Sequence, residues 1–404
     1  MAAARPAPTT TVTTTKELTP VHIPPPGPTP RAEYEDRQYR LRSAMAVNHL
    51  DLLVCYGDAW RTANTRYFTD FRPVDGINGI EQAVLLFPLA GDPQLFVADG
   101  CLDAAQETTP FPVHLLSELP GISTAKAGVW TKGRVGFAGS GQVPAPVRAT
   151  LEAALDGCRV TDTDVLARTK AVKSDWEVSQ LRHAAALTDV AIARLEEIVA
   201  SGERCTERDL AREADMAMIG AGADGVAFLS MVQSGPRSSF SLALPSGRTI
   251  APGDLVLTDI GARYGNYVAD GGRGFTVGEV SEAVLDVVDA SVCAVEAGLA
   301  YARPGVTASA LNHEIQGVLV DRGYAEYSIE ARGRGTGHGT GMDPEEEYPW
   351  IGPTNDDVLE PGMVFTLKAT INKPGVGGLR TERLVHLTED GASPLDQFPM
   401  RNHW

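Results

Sequence analysis

The sequence predicts an α+β domain built from two related halves, preceded by a smaller α/β domain. The chain has 404 residues, more than one ordinary hydrophobic core accommodates, so two domains are expected. Before about residue 165, apolar strand-like runs alternate with helical segments. After that point the order of elements is helix, helix, hairpin, and this order is then repeated.

The first 30 residues are predicted to form a disordered tail rich in proline and threonine. Residues 9–15 are all threonine except for one valine, and residues 24–26 are all proline. Such a segment carries too little apolar surface to build a core. Ordered structure is expected to begin near Arg31. The N-terminus also lacks the basic and then apolar pattern of a signal peptide.

Residues 31–165 are predicted to form the smaller α/β domain. Its apolar runs have the length and composition of buried strands, and one segment has the pattern of a helix. The strands are expected at 51–56, 83–89, 94–98 and 134–138, and the helix at 145–155.

Residues 166–404 are predicted to form the larger domain. Ser174–Glu177 and Thr206–Asp209 each place a hydroxyl residue three positions before an acidic one, which is typical of a helix N-terminus. The helices are expected at 175–199, from 207 to about 220, at 281–301 and at 307–322, and the hairpin regions at 253–277 and 362–388. This order suggests two halves that close around a shared sheet.

The first hairpin region contains two aspartates. Asp259 and Asp270 are equally distant from a turn predicted at Tyr264 and Gly265, so they are expected to face each other with Cβ atoms about 5 Å apart. Two carboxylates that close repel each other unless a cation or a proton lies between them. The alternative is two solvated aspartates near loops, but Asp259 lies within an apolar run.

The second hairpin region and the segment before it carry further candidate residues. Lys368 and Glu382 are equally distant from Gly375 and are expected to be cross-strand neighbours. In residues 333–341 every second residue is glycine, which allows close approach of the backbone around one imidazole, that of His338. A mobile surface loop is the alternative. No nucleotide-binding glycine pattern fits this segment.

Composition excludes several classes of function. With 52 acidic and 35 basic residues the net charge is −17, and such a field repels phosphate backbones, so no nucleic-acid binding is expected. No apolar stretch is long enough to span a membrane. The five cysteines form no CxxC pair, which indicates neither a zinc ribbon nor a disulfide framework. We expect a reduced, cytoplasmic protein.

The order and spacing of these motifs resemble the pita-bread superfamily, which contains methionine aminopeptidase, aminopeptidase P, prolidase and creatinase. Residues 64–69 look like part of the N-terminal domain of the creatinase and prolidase branch. The resemblance implies a pita-bread fold for the larger domain and a homodimer. The motifs that carry it, spread over about residues 166–395, are Asp259 and Asp270 with ten residues between them, Gly337–Gly339 around His338, Pro361–Leu367 and Glu382.

The resemblance also implies a metal site in which one ligand is replaced. Metal-dependent members use two aspartates, a histidine and two glutamates; Lys368 stands where one glutamate is expected. A protonated lysine cannot coordinate a metal. We therefore expect either no metal or one divalent ion (Mn, Fe, Co or Zn). The four ligands that remain are Asp259, Asp270, His338 and Glu382.

Two further departures concern histidines that handle substrate in the superfamily. Glu345 stands seven residues after His338, where a second histidine is usual, and residues 234–242 lack the histidine that members carry there. By resemblance, the candidate catalytic residues are His338, Lys368 and Glu345, and the candidate substrate-binding residues are Arg237 and Arg273.

We therefore expect an enzyme similar to creatinase and aminopeptidase P that acts on a small molecule or short peptide. The expected reaction is C–N bond hydrolysis at a metal-poor or metal-free site. Three alternatives remain open: a single-metal Xaa-Pro aminopeptidase or dipeptidase, a non-hydrolytic lyase or isomerase, and a binding protein without catalysis. A plain salt bridge between Lys368 and Glu382 would favour the last, whereas His338 in its glycine setting argues against it.

Overall fold

The computed structural model of the protein describes residues 23–76, 79–121 and 133–400. The helices are α1 (Arg31–Val47), α2 (Ala63–Arg66), α3 (Leu102–Thr108), α4 (Ala145–Ala154), α5 (Val165–Ala171), α6 (Asp175–Ser201), α7 (Glu207–Gly220), α8 (Glu282–Tyr301) and α9 (Ala308–Asp321). The strands before residue 165 are β1 (Leu52–Asp58), β2 (Asp75–Gly76), β3 (Gly79–Ile80), β4 (Gln82–Pro88), β5 (Gln94–Val97), β6 (Val113–Leu115), β7 (Arg134–Ala138) and β8 (Arg159–Thr163). The later strands are β9 (Gly225–Val226), β10 (Met231–Ser234), β11 (Leu255–Ile260), β12 (Ala262–Tyr264), β13 (Tyr267–Val268), β14 (Gly271–Thr276), β15 (Gly337–Gly339), β16 (Glu346–Ile351), β17 (Val364–Lys373), β18 (Gly377–Thr388) and β19 (Gly391–Pro394).

Six of the early strands form one mixed sheet in the order β6-β5-β4-β1-β7-β8. Strand β1 is buried along its whole length because alternate residues enter two different apolar clusters. Leu53 and Cys55 belong to one cluster, and Val54 and Tyr56 belong to the other. A central strand covered on both faces reads as a continuous apolar run, which is why the sequence identifies it. The predicted α/β arrangement of this part is confirmed.

Residues 23–30, which the proline content predicts to be solvated, are mostly exposed, but a few contacts attach them to the protein. Ile23 is buried, and the carbonyl oxygen of Pro24 accepts a hydrogen bond of 2.8 Å from the hydroxyl of Tyr264. The hydroxyl of Thr29 donates to the carboxylate of Asp70 at 2.7 Å. Proline has little conformational freedom to lose and no N–H to satisfy, so a few contacts are enough to hold the segment. Residues 1–22 lie outside the described residues.

Two capping boxes begin the long helices α6 and α7, as predicted. The side chain of Ser174 accepts from the backbone N–H of Glu177, whose carboxylate accepts from the N–H of Ser174 in return. Thr206 and Asp209 make the same reciprocal pair. These contacts satisfy N–H groups that no helical partner reaches, so the sequence alone fixes both starts.

Three sheets lie in the larger domain. They are β10-β11-β14, β13-β12-β9 and the five-stranded β16-β15-β17-β18-β19. Helices α8 and α9 pack together, and α8 also packs on β17 and β18. Each pair of long helices is followed by a hairpin, as predicted. Within residues 23–76, 79–121 and 133–400, no helix combines the length and apolar character that crossing a membrane requires.

The register of the first hairpin differs from the prediction by two residues. Asp259 lies opposite Gly272, not opposite Asp270. The predicted turn at Tyr264 is wrong because the turn begins at Gly265, which takes φ +60°, a left-handed conformation that glycine adopts without strain. Since side chains alternate with a period of two, this shift leaves both aspartates on the same side of the hairpin.

The glycine-rich segment forms a strand where it carries the histidine. Strand β15 pairs with β16 on one side and β17 on the other, with His338 opposite Thr366. A Cβ atom at Gly339 would collide with the carbonyl oxygen of Tyr348. The glycines therefore allow close approach of neighbouring strands, and the mobile-loop alternative is wrong for β15.

Candidate functional site

Three carboxylates from the two hairpins meet in the interior of the protein. Asp259 lies on β11, Asp270 lies just before β14, and Glu382 lies on β18; all three are buried. One oxygen atom of each lies within 4.8 Å of the others. The Oδ1 atom of Asp259 and the Oε2 atom of Glu382 have no hydrogen-bond partner in the described part of the chain. Buried carboxylates with free oxygens are a typical donor set for a divalent metal.

The carboxylates also carry uncompensated negative charge. Burial, followed by the charges of Glu382 and Asp259, raises the pKa of Asp270 well above its ordinary value. Burial and then the charge of Asp259 raise the pKa of Glu382. A cation held among the three groups would offset both effects and keep the carboxylates ionised.

Arg380 is a member of this cluster that the sequence reasoning missed. It is buried, its Nη1 atom donates to the Oδ2 atom of Asp259, and its Nη2 atom donates to the carbonyl oxygen of Ser241 at 2.9 Å. Arg380 precedes Glu382 by two residues on β18, so the strand period alone indicates that both side chains share a face. Asp259 keeps its second oxygen free for another cation.

His338 presents a neutral imidazole to the carboxylates. Its Nε2 atom lies 3.4 Å from the Oδ2 atom of Asp270 and 3.7 Å from the Oε1 atom of Glu345. Burial and then the charge of Lys368 lower the pKa of His338 well below its ordinary value. The Nδ1 atom lies 3.2 Å from the carbonyl oxygen of Gly339, which can only accept, so we assign the proton to Nδ1. The lone pair of Nε2 therefore faces the cluster.

Lys368 lies opposite Glu382 in the β17–β18 register, as predicted. Its buried Nζ atom lies 3.6 Å from the Oε1 atom of Glu345, whose side chain is 59% exposed. Lys368 and Glu382, which are both described, form no ion pair with each other. The plain structural salt bridge that would favour a binding protein is therefore not formed. Glu345 lies at the solvent-exposed edge of the buried cluster, within 4 Å of both Lys368 and His338.

The two arginines expected to bind substrate lie in separate networks. The Nε atom of Arg237 donates to the buried Glu207 at 3.0 Å. Arg273 is buried, and it donates to Asp396 at 2.7 Å and to the backbone carbonyl of Glu382. Both guanidinium groups are thus engaged with the protein. A role in substrate binding stays a prediction for each.

Comparison with known proteins fits this arrangement. Residues 179–389, more than half of the chain, match the family described as Metallopeptidase family M24. The chain belongs to this family. A protein named "Probable dipeptidase PepE" from Mycobacterium bovis is 37% identical over 258 residues, which are 64% of this chain and 67% of that protein. A "Xaa-Pro dipeptidase" from Pyrococcus furiosus is 32% identical over 232 residues, 57% of this chain and 65% of that protein.

Solved structures of M24-like proteins also resemble the whole chain. The dipeptidase PepE from Mycobacterium ulcerans superposes with a TM-score of 0.81 at 29% identity, covering 93% of this chain and 98% of that one. A prolidase from Thermococcus sibiricus gives a TM-score of 0.81 at 26% identity, covering 92% and 98%. The predicted fold, a pita-bread domain after a smaller α/β domain, is confirmed. The protein is a hydrolase of the creatinase and aminopeptidase P superfamily.

Proposed function

We propose that the protein hydrolyses the C–N bond of a dipeptide or a similarly small amide, at a site that holds at most one divalent metal ion. The observation that carries this proposal is the buried cluster of Asp259, Asp270 and Glu382, whose ligand oxygens lie within 4.8 Å of one another. The relatives named as dipeptidases support a peptide-like amide as the substrate. Manganese, iron, cobalt and zinc are the candidate metals.

The residues present fit one metal ion. Asp259 and Glu382 each offer a buried oxygen without a hydrogen-bond partner among the described residues. The buried Nε2 atom of His338 also has no hydrogen-bond partner there. Asp259, Asp270 and Glu382 would hold the ion, and His338 would add a nitrogen ligand. When bound, the metal would polarise the substrate carbonyl and lower the pKa of a bound water.

The charges of the site support one ion in preference to two. Lys368 stands where the family resemblance puts a fifth ligand, and an ammonium has no lone pair to offer. Four carboxylates and two cations meet in the site, which leaves two negative charges, and one divalent ion neutralises them. The six groups are Asp259, Asp270, Glu345, Glu382, Lys368 and Arg380.

Glu345 is the residue that we propose for proton transfer. It is more than half exposed, yet its carboxylate lies 3.6 Å from the ammonium of Lys368 and 3.7 Å from the imidazole of His338. As general base it would take a proton from the attacking water, whose oxygen adds to the carbonyl carbon. It would then pass this proton to the nitrogen as the C–N bond breaks. The Lys368 ammonium would stabilise the negative charge that develops on the carbonyl oxygen.

Metal-free hydrolysis is the second candidate. It is favoured by the two cations already fixed beside the carboxylates, because Arg380 pairs directly with Asp259 and Lys368 lies opposite Glu382. The single-ion and metal-free sites differ in metal content and in their response to chelators.

Metal analysis and a dipeptide panel test both candidates. We expect at most one metal per chain in protein purified without chelators, and turnover of dipeptides that Asp270→Asn abolishes. Gly-Pro and Ala-Pro are expected to be poor substrates, because two histidines that other members use are missing here. Glu345 stands in the place of one, and residues 234–242 lack the other. Two metals per chain would contradict the charge argument. Absence of hydrolysis across the panel with every candidate metal would contradict the proposed function.

A further inference from the structure

A second charged pocket lies at the turn of the first hairpin. It has a volume of about 360 Å³ and lies between α2, the N-terminal segment 26–29 and the β12–β13 turn. Three arginines line it: Arg66 from α2, Arg72 from the loop that follows, and Arg263 from β12. The proposed hydrolysis does not use this pocket.

Two of these arginines are buried with some of their N–H groups unpaired. Arg66 is 7% exposed and Arg263 is 5% exposed. The Nε and Nη1 atoms of Arg66 and the Nε atom of Arg263 have no hydrogen-bond partner within the described ranges. The Nη1 atom of Arg263 reaches only the carbonyl oxygen of Met342, at 3.4 Å. A buried charge of this kind is costly unless an ion of opposite sign compensates it.

The three positive charges also repel one another. Burial, then the charges of Arg263 and Arg72, lower the pKa of Arg66 to about 10. Burial and then Arg72 lower the pKa of Arg263 to about 10. The lowered pKa values show that the negative charge nearby does not offset burial and the repulsion among the three arginines.

The acidic side chains nearby are engaged in other contacts. Asp70 accepts from Thr29 at 2.7 Å and from the amide of Asn266 at 2.9 Å, so it holds the N-terminal segment on the turn. Asp224 accepts from the backbone N–H of Gly265 at 2.5 Å and so holds the turn itself. Neither forms an ion pair with the three arginines in the described chain. Their charges still act at longer range, that of Asp70 on Arg66 and that of Asp224, together with Asp343, on Arg263, but they do not offset burial.

We propose that this pocket binds a small oxyanion, a phosphate or a carboxylate, between the guanidinium groups of Arg66, Arg72 and Arg263. A guanidinium donates two parallel N–H bonds to such an anion, and phosphate and carboxylate are the groups whose oxygen spacing matches this fork. The volume accommodates the anion together with water. A bound anion would link three segments that lie far apart in the sequence.

Inorganic phosphate is the probe for the first experiment. The full-length protein is titrated at constant pH and ionic strength, with binding followed by calorimetry and by the melting temperature. We expect the melting temperature to rise with the logarithm of phosphate concentration, because the anion binds only the folded pocket. Malonate in a parallel titration distinguishes a carboxylate site from a phosphate site.

Three variants make the test specific. Arg72 is exposed, so Arg72→Met should fold normally and bind the anion about tenfold more weakly. Arg66→Met should abolish binding and, without anion, melt no lower than the parent, because an unpaired buried charge has been removed. Arg194→Met, a change of the same charge on the surface of α6, should bind like the parent.

Three results would overturn the proposal. Phosphate also stabilises proteins without binding, so an equal rise in the parent and in all variants would show a general salt effect. Absence of any anion-dependent change in the parent would exclude the site. A loss of stability in Arg66→Met that is the same with and without phosphate would show that Arg66 is paired within the chain itself.

Discussion

Two buried charge clusters in the larger domain differ in how they are neutralised. In the first, the carboxylate of Glu346 accepts a hydrogen bond of 2.9 Å from the ammonium of Lys173 and lies 3.9 Å from the ammonium of Lys170. The same carboxylate also accepts a hydrogen bond from the backbone N–H of Met342. Although burial opposes it, the charges of Lys173 and Lys170 lower the pKa of Glu346. This cluster is complete within the chain.

In the second cluster the pKa shifts have the opposite sign. Asp270 and Glu382 have raised pKa values because burial and neighbouring carboxylates outweigh the two cations close by. Both clusters bury charge to a similar extent, so burial alone does not distinguish structure from function. The distinction lies in the sign of the local charge, because Glu346 lies between two ammonium groups, whereas the carboxylates around Asp270 outnumber the cations. A counter-ion from outside the chain fits only the second.

The largest effect is expected for Glu346→Gln. The change removes the carboxylate that pairs with Lys173 and leaves Lys170 with the charge of Asp343, and it should lower the free energy of unfolding by about 3–5 kcal/mol. Since the pKa of Glu346 is lowered on folding, its contribution is present above the ordinary value of 4.5 and is lost as the pH falls through the folded value. Urea unfolding should therefore show that the difference in free energy of unfolding between parent and variant becomes smaller at acidic pH. Added manganese should not restore the variant; a metal-dependent recovery would contradict the view that this cluster is complete.

Lys368→Glu should have the next largest effect. Without metal it places another carboxylate beside Asp259, Asp270 and Glu382, and the added like-charge repulsion should cost about 1–4 kcal/mol. With manganese or cobalt the variant should regain stability if, as the family resemblance implies, Glu at this position completes the set of five ligands. Activity should be lost with the ammonium. The measurement is the melting temperature of both proteins with and without metal.

Lys373→Glu provides a matched control for that experiment. It makes the same change of charge on the same strand, but Lys373 lies against the rings of Tyr324 and Tyr327. It should lose stability without any response to metal. If Lys368→Glu gains no more from metal than this control does, Lys368 does not occupy a ligand position.

Asp270→Asn sharpens the comparison in the opposite direction. Removing one of three repelling carboxylates should stabilise the metal-free protein by about 1 kcal/mol at neutral pH. Because the pKa of Asp270 is raised on folding, the parent should lose stability as the pH rises through the pKa that Asp270 has in the folded protein. The variant has no carboxyl group at this position and should not show this loss. Saturating metal should reverse the order of the two proteins. A variant that is less stable than the parent under every condition would mean that Asp270 is a structural acceptor.

The smallest effect is expected for Arg237→Lys, which tests the predicted substrate contact. Arg237 pairs with the buried Glu207, and this carboxylate also accepts from Ser234 and Ser246. If the main role of Arg237 is to hold residues 234–246 on Glu207, the change to lysine should lower the free energy of unfolding by about 1 kcal/mol and leave KM unchanged. A KM increase of about tenfold with an unchanged kcat would instead support direct contact with substrate.

The sequence by itself determined the elements whose signals are local. The starts of α6 and α7 follow from caps that satisfy backbone groups within one turn. The pairing of Lys368 with Glu382 follows from a hairpin with Gly375 at its centre, where φ is +80°. In the first hairpin the same reasoning placed the turn one residue too early, since Tyr264 pairs with Tyr267 and the turn consists of Gly265 and Asn266.

Only the tertiary structure decided which side chains meet across sheets. The sheet containing β11 and β14 packs on β18, which brings Arg380 to Asp259 from 121 residues away. Residues 26–29 help to enclose the pocket in which Arg66 and Arg263 converge. Such contacts depend on how separate elements pack and on the burial that results, and no periodicity within one element encodes either. The balance between burial and the charges that surround each group sets the sign of its pKa shift, which is why the chemistry of the site could be read only from the folded chain.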